Sequence, residues 1–172
     1  MKRTVMLLGL FCLLVATAQA QTTKIGKVNV DYVLSKLPEY KSVESDYTAY
    51  ETQLKNQLQS KVQDFQNKVA DYQQNAPSYS DVVRADKERE IKSLQTSIEQ
   101  FQADAEKSLA NKQAELLQPL YDKIKAQVAT VAKENGYTHV VSESAGLELL
   151  IYAPADADIS DKVVVKMGGS VN

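Results

Sequence analysis

From Tyr40 onward the apolar residues keep a helical rhythm. Tyr40, Val43, Tyr47, Tyr50, Leu54, Leu58, Val62, Phe65, Val69 and Tyr72 follow one another at steps of three or four residues. Such a stripe predicts one long helix with a single apolar seam. A four-residue insertion near Leu54 and Leu58 interrupts the heptad, which relaxes left-handed supercoiling toward a straighter pair. A second stripe begins with Ile91, Leu94, Ile98, Phe101 and Ala105. It continues less regularly through Leu109, Leu116, Leu120, Ile124, Val128 and Val131. Between the stripes lies a turn-like cluster, Asn75-Ala76-Pro77-Ser78-Tyr79-Ser80. No glycine occurs from Glu39 to Asn135, and the prolines there are Pro77 and Pro119. The pattern predicts two long antiparallel helices folded about a tip at 75–80. Pro38 suits the first turn, where its missing N–H costs nothing. Asn135-Gly136 stops the second helix. Pro119 removes one helical hydrogen bond and predicts a kink or break near Gln118, where the arm would join a compact body.

The ends of the chain change rhythm. Lys24 to Val30 alternates polar and apolar residues from Lys27 and reads as a strand. Asp31 is placed to cap a short helix from Tyr32 to Leu37. Tyr137–Ser142 and Leu147–Tyr152 read as two further strands around the turn Glu143-Ser144-Ala145-Gly146. The fold class is therefore α+β. A coiled-coil arm, residues 38–119, is inserted in a small β-body made of residues 21–37 and 120–172. Ile25, Val28, Val30, Val140, Leu149 and Ile151 are the expected core of a three-stranded sheet in that body. An arm of about 35 residues spans on the order of 50 Å.

Residues 1–20 have the parts of a secretory signal. Lys2 and Arg3 lead an apolar run, Val5 to Val15, and Ala18-Gln19-Ala20 forms a small-x-small cleavage site. Cleavage is expected before Gln21. Phe11 before Cys12 is a poor match to a lipobox, so Cys12 is expected to leave with the signal. The whole chain has 20 Lys and Arg against 22 Asp and Glu. Losing Lys2 and Arg3 moves the formal charge from −2 to −4. That balance argues against a polybasic nucleic-acid binder.

Candidate chemistry is sparse. His139 lies in a strand-like run without the partners catalysis needs. Asp156, Asp158 and Asp161 lack the glycine and closing glutamate of a calcium loop, so caps and turns are the expected roles. No phosphate loop, zinc spacing or dinucleotide fingerprint occurs. The chain is read as a non-enzyme with no cofactor and no metal site. Tyr40, Tyr47, Tyr50 and Tyr72 sit at seam spacing. Tyr79, at the tip, reads as an exposed aromatic and a hint of a contact site.

Ile25-Gly26-Lys27-Val28-Asn29-Val30-Asp31, with Leu34 and Pro38-Glu39-Tyr40, resembles the start of the Skp/OmpH family of periplasmic chaperones. Ala132 to Tyr137, His139 to Ser142 and Ala157-Asp158-Ile159-Ser160 resemble its end. The resemblance implies a final helix at Ser160–Met167, against the strand propensity of Val163-Val164-Val165. It also implies a homotrimer of jellyfish form, with arms hanging from a shared β-body to whose core the six body residues named above belong. It further implies a periplasmic, ATP-independent holdase for unfolded outer-membrane β-barrel proteins. Client contact is then expected on the arm's inner side, at Val62, Phe65, Val69, Tyr79, Val82 and Ile91. Familiar members are strongly basic and this chain is acidic, which leaves membrane or lipopolysaccharide contact open. The competing class is an exported coiled-coil spacer without clients, which the interrupted heptad and the strands disfavour.

Overall fold

A computed structural model describes residues 23–143 and 151–171. Strand β1 is Ile25–Asn29 and helix α1 is Val30–Lys36. Helix α2 is Pro38–Asn75, a 3-10 turn covers Ala76–Ser78, and helix α3 is Asp81–Glu134. Strand β2 is His139–Glu143, a second 3-10 turn covers Ala155–Ala157, and helix α4 is Ser160–Lys166. The predicted signal, residues 1–20, lies outside the described residues.

Local chemistry sets the boundaries. Asn29, rather than Asp31, caps α1: its Oδ1 accepts from the Tyr32 amide at 2.8 Å. Leu37 is extended, at φ −81° and ψ 132°. The following Pro38 disfavours a helical residue there, so α1 and α2 remain separate. Ser80 caps α3 through the Val83 amide at 3.4 Å. At its far end Gly136 takes φ 71°. The Tyr137 amide donates to the Ala132 carbonyl at 2.9 Å and the Gly136 amide to the Lys133 carbonyl at 3.3 Å, a Schellman closure.

Helix α3 runs unbroken through Pro119, where the sequence predicted a kink or break. Pro119 and Glu115 are exposed, so the carbonyl that loses its donor meets water. Leu120 and Ile124, one turn apart, are buried against the body and keep the helix continuous through the defect.

The strands pair in parallel, with Ile25 opposite His139 and Asn29 opposite Glu143. Parallel partners need a long crossover, and here the α2–α3 hairpin is that crossover. The described sheet has two strands where three were predicted. Leu149 lies outside the described residues, and Ile151 and Tyr152 are irregular and exposed. On the other side of β1 the chain supplies a single bridge at Asp158, and the Ile159 amide donates to the Lys27 carbonyl at 2.9 Å.

The closed core lies where the hairpin meets the chain ends. Val28, Val33, Leu34 and Leu37 pack with Leu120, Ile124 and Val131 of α3, and with Tyr137, Ile159, Val163 and Val164. Val33, Ile159, Val163 and Val164 are fully buried. Burial of that kind overrides the strand propensity of the valine run and makes α4 a helix. Gly169 then passes so close to α1 that an added Cβ would stand 2.7 Å from the Lys36 carbonyl oxygen.

Candidate functional site

The arm formed by α2 and α3 is built differently from the body. None of the residues of α2 is fully buried. All ten stripe positions from Tyr40 to Tyr72 are half-buried, and most residues between them are exposed. Two helices share one seam, so each seam side chain touches the partner helix on one side and keeps an edge toward solvent. On α3 the stripe extends further toward the tip than its apolar residues do. Arg84 and Lys87 are half-buried at seam spacing ahead of Ile91. The spacing of Ile91 and Leu94, carried back one heptad, would have located both.

Polar contacts lock the pairing of the two helices. Glu39 and Lys123 meet at 2.9 Å near the base. Lys61 Nζ donates to Ser97 Oγ at 3.3 Å, and Lys68 pairs with Glu90 at 2.7 Å. Hydrogen bonding to Glu90 raises the Lys68 pKa, and the reciprocal bond holds Glu90 below the ordinary carboxylate range. Near the tip the Tyr72 hydroxyl donates to Glu88, which raises the pKa of that phenol.

The six residues expected to contact clients divide. Val62, Phe65, Val69 and Ile91 are half-buried seam residues. Tyr79 is not the exposed aromatic the sequence suggested. Its ring lies 6.5 Å from that of Tyr72, and its hydroxyl donates to Asp71 Oδ2 at 3.2 Å. The seam therefore ends in an aromatic pair that closes the tip. Val82 is the exposed member, at 72 % accessible, with Val83 beside it.

In the body, Val28 is buried and Val30 and Val140 are half-buried, whereas Ile25 is 51 % and Ile151 98 % exposed. Both isoleucines stand outside the core of the single chain. His139 is exposed, with Nδ1 3.1 Å from Thr138 Oγ1. Asp158 Oδ1 accepts from the Ser160 amide at 2.9 Å, and its carboxylate lies 3.6 Å from Lys27. Burial pushes the Asp158 pKa up, but the hydrogen bonds from Ser160 together with Lys27 hold it below the usual value. Lys27, shared with Glu143 at 2.9 Å, ties β1, β2 and the 158 loop. Asp161 accepts from the Tyr32 hydroxyl at 2.8 Å, and the Asp156 carbonyl accepts from Tyr137 at 2.7 Å. Two of these three acids use their carboxylates, and one its carbonyl, to tie the chain to itself. No described helix is long and apolar enough to cross a membrane.

A long two-helix arm on a small mixed body defines a class of non-globular arm proteins. Residues 24–167 match the family model described as outer membrane protein (OmpH-like), and the chain belongs to that family. A crystal structure of an OmpH-like outer membrane chaperone from Caulobacter crescentus CB15 superposes with a TM-score of 0.72 at 11 % identity. The match covers 84 % of this chain and 83 % of that one. No curated protein matches the chain in sequence.

Proposed function

We propose that the protein is an ATP-independent periplasmic holdase. It binds unfolded outer-membrane β-barrel proteins and prevents their aggregation on the way to the outer membrane. In this reading residues 1–20 direct export and are removed before Gln21. Three copies join through their β-bodies, where Ile25 and Ile151 become covered, and the arms surround the client. Family membership over residues 24–167 supports a role of this kind. The observation that carries the reading is the seam: ten consecutive stripe residues of α2, all half-buried and none sealed.

Barrel segments present alternating apolar residues that aggregate in water. Apolar edges spread along an arm offer many weak contacts, and repetition over several arms raises their joint affinity without a specific pocket. Capture by shape and scattered contact suits a mature chain of formal charge −4. The test is light scattering during dilution of a urea-unfolded outer-membrane barrel protein. Suppression at one trimer per client is expected, and aggregation unchanged by the protein rejects the function. Sedimentation checks the assembly, since a monomer at micromolar concentration would contradict the enclosed arrangement.

A further inference from the structure

The two flanks of the distal seam differ in chemistry. On one flank stand Lys61 and Lys68, each directly before a seam valine. Lys61 reaches Ser97 at 3.3 Å and lies 5.5 Å from the Phe101 ring centre, while Lys68 pairs with Glu90 at 2.7 Å. Their long stems lie over the seam and cover it. Residues directly after the seam leucines and aromatics fall on the opposite flank. There the chain carries glutamine: Gln59, Gln66 and Gln73 on α2, and Gln95 and Gln102 on α3. All five are exposed. The register fixed by the lysine contacts sets Gln66 across from Gln95 and Gln59 across from Gln102. Gln95 donates to Glu99 of its own helix at 3.1 Å.

We infer that the glutamine flank is the side of the arm that receives client, and that it recognises the main chain of an extended, weakly charged polypeptide. This rests on the holdase reading and names the chemistry of its contact. A glutamine amide both donates and accepts, as a peptide group does, and carries no charge. Successive glutamines on α2 are one heptad apart, about 10.5 Å along the helix axis. A chain in the polyproline II conformation, common in unfolded polypeptides, repeats every three residues and about 9.3 Å, so one bound segment turns the same side toward successive glutamines. Its side chains then face the uncovered edges of Val62, Phe65 and Val69. The lysine flank is already engaged with α3 and offers no comparable row. Recognition of this form is indifferent to sequence, as a protein that shields many barrels requires, and needs no basic field.

The test uses the full-length chain carrying a benzophenone amino acid at Gln66, at Gln95, or at Asp64 on the lysine side. A urea-unfolded outer-membrane barrel protein is diluted into each and irradiated. Crosslinked client is expected to be several-fold more abundant from Gln66 and Gln95 than from Asp64. Equal yields overturn the inference, as do crosslinks that join Gln66 to a second copy of this chain. As a companion, Gln66→Glu with Gln95→Glu is expected to weaken capture several-fold at unchanged helical circular dichroism, with Asp64→Lys leaving it intact. Wild-type suppression of aggregation that survives the paired change in a folded arm sinks the flank assignment alone. Absence of wild-type capture sinks the holdase reading and this inference together.

Discussion

The body and the arm draw on similar residue types and reach opposite states of burial. In the body, three stretches from the start, middle and end of the chain converge. Val33, Ile159, Val163 and Val164 have neighbours on every side and no contact with water. In the arm, equally apolar residues have neighbours on one side only. Closed packing of the first kind sustains a fold, since each buried aliphatic side chain contributes about 1.5–3 kcal/mol. A single seam contributes less per residue and keeps apolar edges available for contact. Stability is concentrated where the chain ends meet, whereas the arm carries a continuous stripe of partly exposed apolar edges. The body's exposed apolar side chains, Ile25, Ile151 and Tyr152, stand apart from its closed core.

That contrast can be broken by substitution. Ile124→Ala empties a fully enclosed site and is expected to cost about 2–5 kcal/mol in urea unfolding, with loss of the body as a unit. Gly169→Ala forces a methyl against the Lys36 carbonyl and is expected to cost about 1–3 kcal/mol, read as a lowered thermal midpoint. Phe65→Ala should cost only on the order of 1–2 kcal/mol, because the ring is packed on one side and part of it already meets water. Its effect should appear as easier fraying of the arm's helices with the body intact. If Phe65→Ala proves as damaging as Ile124→Ala, the arm has a closed core and the contrast fails.

The smallest expected effect comes from pH, and its sign differs between partners. Glu90 is held below its ordinary pKa by hydrogen bonding to Lys68. Its stabilisation is therefore present above the unfolded carboxyl value, about 4.3, and disappears as pH falls through the folded value. Lys68 is raised by the same bond. Its share is complete below about 10.4 and disappears as pH rises through the folded value. The arm should thus keep its helix content across neutral pH and loosen slightly at both extremes. Lys68→Met should flatten both ends of a circular dichroism titration, and an unaltered profile in that variant would show that the pair does not matter.

Much of the arm was legible in the sequence because a two-helix seam obeys a purely local period. Each apolar position of the α2 stripe is half-buried, and both helix limits follow from Pro38 and Gly136. What escaped depends on contacts between distant segments. The valines of α4 favour a strand locally, so the helix is expected from the family resemblance and not from the local pattern. It forms because three other elements enclose Val163 and Val164. Pro119 reads as a breaker, yet burial of Leu120 and Ile124 keeps α3 continuous. Parallel pairing of β1 and β2 is set by the crossover, which no strand pattern encodes. At the candidate surface, the seam residues were found by spacing. Arg84 and Lys87 escaped because charge masked their seam positions, and Tyr79 because a partner at Tyr72 lies across the turn.

The central claim is that the body holds the molecule together while the arm holds the client. Hydrogen–deuterium exchange of the full-length protein, with and without an unfolded outer-membrane barrel protein, tests it most directly. Client loading should slow exchange along α2 and the distal part of α3, and leave β1, α1, β2 and α4 as they were. Slowing confined to β1, β2 and α4, with the arm unchanged, would contradict the account.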